Sequence, residues 1–192
     1  MPLRHIRLAL VIVAAVCLGS VAAPGIRAQT PATGHCDVSP RAVEDLTAIL
    51  ATPVPAGGSP VAYSAPVGLP VDDDIAAEIE ATIAHLFACL NAGETLRAYA
   101  LYSDDYLRHI LATQSPTELT ASATPRPIDA DEHTIVLGVE NPQRLPDGRV
   151  YTTVILDPAL IPVQKRFGFF LVKQDGRWLI DDVLDELEFS LP

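Results

Sequence analysis

Cysteine, tryptophan and methionine are scarce in this chain, at three, one and one among 192 residues. Three cysteines are too few for a small scaffold held mainly by bridges. None of them forms a CxxC pair, and no HxxxH or HExxH pairing is present, so the usual helical zinc signatures are missing. There is also no glycine-rich phosphate loop and no serine-centred nucleophile elbow. Basic charge is short as well: 13 Lys and Arg face 24 Asp and Glu, a formal charge of −11. That balance repels phosphate backbones and excludes nucleic acid as an expected partner. The acidic residues are spread along the chain rather than gathered in a tail, as in a solvated surface. No internal repeat is present.

Only one long hydrophobic run occurs. Arg4 and Arg7 precede an apolar stretch from Leu8 to Ala23, broken by Gly19 and Ser20 and ended by Pro24-Gly25. A basic start and a run short for a bilayer read as a cleavable leader over 1–28, cut after Ala28 or, alternatively, after Ala23. The competing reading is an uncleaved anchor. Cys17 follows Ala14, Ala15 and Val16, which disfavours a lipid-attachment site. Removing 1–28 takes away Arg4, Arg7 and Arg27, leaving 10 basic against 24 acidic residues and a formal charge of −14. The expectation is an extracytoplasmic protein, secreted or at the cell surface, with no membrane partner after cleavage.

Cys36 and Cys89 then remain. In an oxidising compartment an even count points to one bridge, which would fasten the N-terminal segment to the helix carrying Cys89. The alternative is that Cys89, at the edge of an apolar helical face, is a buried free thiol. His85 and Cys89 are four apart and His35-Cys36 could approach them, but one helical His–Cys pair is a weak zinc signal.

Residues 29–51 read as an N-terminal segment with one short helix, capped by Ser39 with Pro40 at its first position and apolar at Val43, Leu46, Ile49 and Leu50. Residues 52–71 have a Pro/Ala/Gly-rich linker composition. The main domain, 72–192, opens on the strongest signal in the chain. Ile75, Ile79, Ile83, Leu86, Phe87 and Leu90 recur at three- and four-residue steps, predicting an amphipathic helix from Asp72 to Asn91. Asp72, Asp73 and Asp74 suit its positive end, and they lack the alternation, glycine and distal glutamate of a calcium loop. Gly93 suits a left-handed stop. Glu94 opens a second helical stretch, and Ser103-Asp104-Asp105 reads as a fresh cap. The stretch 113–132 reads as a long loop. Four strand signals follow: Thr134 to Glu140, Arg149 to Leu156, Arg166 to Lys173, and Trp178 to Leu184. Pro146-Asp147-Gly148 and Asp175-Gly176 mark turns between them.

Four strings carry a resemblance: Phe87-Ala88-Cys89-Leu90-Asn91-Ala92-Gly93-Glu94; Ala100-Leu101-Tyr102-Ser103-Asp104-Asp105-Tyr106; Pro146-Asp147-Gly148-Arg149-Val150; and Asp175-Gly176-Arg177-Trp178-Leu179-Ile180-Asp181-Asp182-Val183. On these, residues 72 to 188 resemble the NTF2-like superfamily, with its SnoaL-like and ketosteroid-isomerase-like members. The resemblance implies an α+β cone, N-terminal helices packed in a strongly bent antiparallel sheet of about four strands, with a small-molecule pocket at its mouth. It implies an exported non-catalytic domain that binds a small apolar ligand or a protein partner. The alternative is a SnoaL-like or isomerase-like enzyme with an aspartate base, Asp181 or Asp182, and donors among Tyr102, Tyr106 and Tyr151, with His109 near them. Each of these six is, as a residue type, more often a packing or surface group than a catalyst. The first helix offers no tyrosine to such a site, which counts against isomerase chemistry. No cofactor and no metal is expected. A homodimer formed through the sheet is a further expectation.

Overall fold

A computed structural model describes residues 35–52, 66–158 and 164–184, so the leader over 1–28 and most of the linker lie outside the described residues. In chain order the elements are α1 (Val43–Leu50), β1 (Leu69–Pro70), α2 (Asp73–Asn91), α3 (Thr95–Tyr99), α4 (Asp104–Ile110) and α5 (Pro116–Ala121). A 3-10 turn at Ala130–Glu132 precedes β2 (Thr134–Arg144), β3 (Val150–Pro158), β4 (Lys165–Gln174) and β5 (Arg177–Leu184).

The apolar stripe forms α2 as its spacing requires. Ile79, Ile83, Leu86 and Phe87 are buried, with Ile75 and Leu90 packed at the margin. Asp72 is the N-cap residue, but its side chain makes no capping bond, so the acidic run acts through its charge near the dipole. At the other end Gly93 has φ 68° and donates to Leu90 O at 2.9 Å, while Glu94 N donates to Cys89 O at 2.9 Å. These are the paired bonds of a Schellman stop, which turn the chain from α2 into α3.

The sheet is a five-stranded antiparallel meander in the order β1-β2-β3-β4-β5. One face of it lies on α2: Val150, Val154, Leu156, Phe169, Leu171, Trp178 and Ile180 meet Ile79, Ile83, Leu86 and Phe87 in one core. Glu78 of α2 accepts from Lys173 Nζ at 2.8 Å and from Trp178 Nε1 at 2.7 Å, which pins the helix to the β4–β5 hairpin. Those two bonds, with desolvation opposing them, hold the Glu78 carboxyl below its ordinary range. A second apolar cluster lies away from the sheet, where Leu46 of α1 meets Leu107, Leu111 and Leu119.

Three expectations are corrected here. The sheet is open: it is neither strongly bent nor closed, and it has five strands rather than about four, so the cone is not formed. The strings that carried the resemblance encode helix stops and hairpin turns, and these serve open and curled sheets alike. Second, the short N-terminal helix begins at Val43 rather than at Ser39-Pro40. The chain before it is held extended by bonds to α3, Arg41 N to Leu96 O at 2.9 Å and Arg97 Nη1 to Val38 O at 2.6 Å. Third, the expected loop at 113–132 contains α5. Ser115 Oγ accepts from Glu118 N, Glu118 returns a carboxylate oxygen to Ser115 N, and Pro116 sits at the first position, a complete capping box.

Candidate functional site

The candidate residues for chemistry do not converge. Tyr151 is 3% exposed, but on the sheet face turned away from α2, clustered with Leu145 and Phe170. Its ring lies over Gly168, where an added Cβ would stand 2.8 Å from the ring. Its hydroxyl is buried without a hydrogen-bond partner among the described residues. A buried phenol in that state costs stability, so Tyr151→Phe is expected to raise the free energy of unfolding by about 1 kcal/mol in urea denaturation. A loss of stability would mean that the hydroxyl has a partner in solution.

Tyr102 lies on the helix side. It precedes α4 in an extended link that bridges β5 at Ile180: Ile180 N donates to Leu101 O, and Ser103 N donates to Ile180 O, both at 2.8 Å. Its ring is 5.2 Å from Tyr106 and 6.3 Å from Tyr99. Burial, and then the neighbouring phenols, push the Tyr102 hydroxyl well above the ordinary tyrosine range. It therefore stays neutral and packs as an amphipathic aromatic. His109, three residues after Tyr106 on α4, is exposed.

Asp181 and Asp182 part company at a β-bulge. Phe170 pairs with Asp182 and Leu171 with Ile180, so Asp181 is the extra residue. Its carboxylate accepts from Ser103 Oγ at 2.8 Å and pairs with Arg149 Nη1 at 3.2 Å. Ser103 Oγ in turn accepts from Tyr106 N at 3.1 Å, capping α4. Arg149 also pairs with Asp147 at 2.8 Å and lies 4.9 Å from the Phe170 ring centroid. Burial pushes the Asp147 carboxyl up, but the bonds and charge of Arg149 outweigh it and hold that carboxyl below its ordinary range. Asp181 thus ties the β2–β3 turn to the start of α4. Both of its oxygens are engaged, which is the reverse of a base poised toward a substrate. Asp182 accepts from the backbone N–H of Val183 at 2.9 Å.

Cys36 and Cys89 form the bridge, which overturns the free-thiol alternative and uses both sulfurs that a zinc site would have needed. His85 stands 3.6 Å from Asp37. No group of three His, Cys, Asp or Glu side chains suited to a metal ion occurs among the described residues.

Among the described residues a different feature is left uncovered, the far border of β2. At Thr134 the Asn91 side chain exchanges two bonds with the backbone, Nδ2 to O at 2.9 Å and N to Oδ1 at 3.0 Å. At the opposite end β1 pairs with Gln143 and Arg144, and Val71 N donates to Pro142 O. Beyond Val71 the chain turns into α2, so β1 reaches no further. Among the described residues no other backbone pairs with the border between Ile135 and Asn141. Val136 and Val139 face the core, because a bulge between them returns Val139 to the inner face, while Leu137 points outward with Ile135 by ordinary alternation. Ile135 and Leu137 are 42% and 38% exposed. The apolar, charge-free run from Ile135 to Val139 was visible in the sequence as a strand. What it did not disclose was that one border would have no pairing strand among the described residues. Arg149, part of a turn string in the sequence, likewise gave no sign of its pairing with Asp181.

Comparison with protein-family models, with curated proteins and with solved structures gives no match. With the sheet open as well, the NTF2-like assignment is withdrawn, and with it the cone-pocket ligand-binding reading and the aspartate-base enzyme reading. The secretion and leader readings have no support from the described residues, which begin at His35. No helix among the described residues is long and apolar enough to cross a membrane.

Proposed function

We propose that this chain works in an oxidising compartment as a self-associating module, pairing with a second copy through the β2 border of its open sheet. The observation that carries the reading is the uncharged run from Ile135 to Val139, whose outer border pairs with no other backbone among the described residues, with Ile135 and Leu137 exposed beside it. A bare strand border of this kind is a template for another strand, and natural sheets usually blunt it with lysine, proline or a covering element. Antiparallel pairing of β2 with its own copy is isologous, so one patch serves both partners. The Cys36–Cys89 bridge supports the compartment, because such bonds persist where thiols are not kept reduced.

Charge sets a condition on the pairing. Each copy carries a formal −11, so the copies repel at long range, and that repulsion is screened within about 8 Å at physiological salt. Sedimentation velocity of the purified chain is expected to show a dimer that strengthens as salt rises from low to physiological levels. Ile135→Lys with Leu137→Lys is expected to leave a monomer with an unchanged circular dichroism spectrum. A wild-type chain that stays monomeric at high concentration in both salts would end the proposal.

A further inference from the structure

We infer that α1 is a strap latched by the Cys36–Cys89 bridge, which a dithiol reductant releases without unfolding the sheet. The strap covers its own core. Leu46 is fully buried, and its neighbours Leu107, Leu111 and Leu119 belong to α4, the turn after it and α5, separate from the core under the sheet. Left to itself, α1 is weak: it has eight residues, Ala42 gives it no side-chain cap, and no basic residue completes its last turn. A helix of that length is marginal without tertiary support.

Its apolar support runs along the helix through Val43, Leu46, Ile49 and Leu50, whereas its polar support lies at one end. Arg41 pairs with Asp104 and donates to Tyr102 O at 3.3 Å, and Arg97 donates to Val38 O. Of these only Arg41–Asp104 is an ion pair, and a partly exposed pair of that sort contributes little. The bridge does more, since it joins residues 53 apart in sequence and fixes the start of the strap to α2. Cys89 is fully buried, whereas Cys36 is half-buried, so the approach of a reductant is from the Cys36 side.

The chemistry balances with a dithiol as the second reactant. One reductant thiolate attacks Cys36 Sγ, the sulfur–sulfur bond breaks, and Cys89 leaves as a thiolate and takes up a proton. The second reductant thiolate then attacks the mixed disulfide, releasing Cys36 as a thiol. The protein gains two electrons and two protons, and the dithiol becomes a cyclic disulfide. With the latch open, α1 is held by Leu46 and by the partly buried Val43, Ile49 and Leu50 packed on the same cluster, and its opening bares Leu107, Leu111 and Leu119.

Hydrogen exchange of the full chain, followed by mass spectrometry with and without dithiothreitol, tests this. Amides of Val43–Leu50 are expected to exchange at least about tenfold faster on reduction, while those of β3 and β4 keep their protection. Removing the reductant and reoxidising should restore the slow exchange. A Cys36→Ser, Cys89→Ser chain should show the fast α1 exchange without reductant. Unchanged exchange in α1 on reduction overturns the inference, and so does equal acceleration in α1 and the sheet, which would mean one cooperative unit.

Discussion

Asp181→Ala is expected to lower the free energy of unfolding by about 2–3 kcal/mol, the range for losing charge-assisted hydrogen bonds from a mostly buried carboxylate. Its side chain is only 17% exposed, and it satisfies two groups at once. Removing it leaves the buried Ser103 hydroxyl without an acceptor and leaves Arg149 with Asp147 alone. Arg149 is about one-third exposed, so water partly replaces its lost partner, and the cost stays below that of a fully buried pair. Asp181→Asn should cost less, because its amide oxygen still accepts from Ser103 while the charge pairing is lost. Urea denaturation of both variants with Ser103→Ala and the double variant gives the coupling between Ser103 and Asp181, expected at about 1 kcal/mol. Equal costs for Asp181→Ala in the presence and absence of the Ser103 hydroxyl would show that the two do not act together.

That carboxylate also marks where sequence reasoning stops. The alternation of strand residues says that Asp181 and Asp182 face opposite sides, but a bulge inserts one residue, and period-two patterns carry no sign of it. The same limit hid the inward turn of Val139 in β2. Local signals read well where the local chemistry is self-sufficient. The stripe of α2, the Ser103 cap and the Asp175-Gly176 turn are of this kind; both turn residues take the positive φ that a two-residue hairpin needs, 49° and 77°. The bridge followed from counting cysteines. The capping box of α5 was equally explicit in Ser115-Pro116-Thr117-Glu118, yet the surrounding Ser, Thr and Ala composition masked it. β1 escaped for a different reason, since two residues within a proline-rich stretch have no period and exist as a strand only because Gln143 and Arg144 are there to pair with. Sheet closure is further still from local pattern. Hairpins fix which strands are neighbours, whereas bending and closure depend on twist and bulges summed over all the strands.

The stop at the end of α2 carries the other large effect. Gly93→Ala is expected to cost about 3 kcal/mol or more, and the reason is contact as much as conformation. A left-handed alanine by itself costs about 1–2 kcal/mol. At Gly93 the added Cβ would also stand 1.7 Å from Arg126 O and 2.3 Å from its carbonyl carbon. That neighbour is backbone, and it is tied to the site by Arg126 N donating to Gly93 O at 3.1 Å, so it has no rotamer by which to retreat. Either the chain around Arg126 moves or the Schellman stop opens, and opening the stop releases the adjoining end of α2, where Asn91 clamps Thr134. Gly148 and Gly176 separate the two causes. They too have positive φ, 89° and 77°, but an added Cβ at either meets nothing within 4 Å. Gly148→Ala and Gly176→Ala are therefore expected to show only the conformational cost, about 1–2 kcal/mol each. If urea denaturation gave Gly93→Ala the same loss as these two, the contact with Arg126 would contribute nothing, and the stop would be held by its left-handed residue alone.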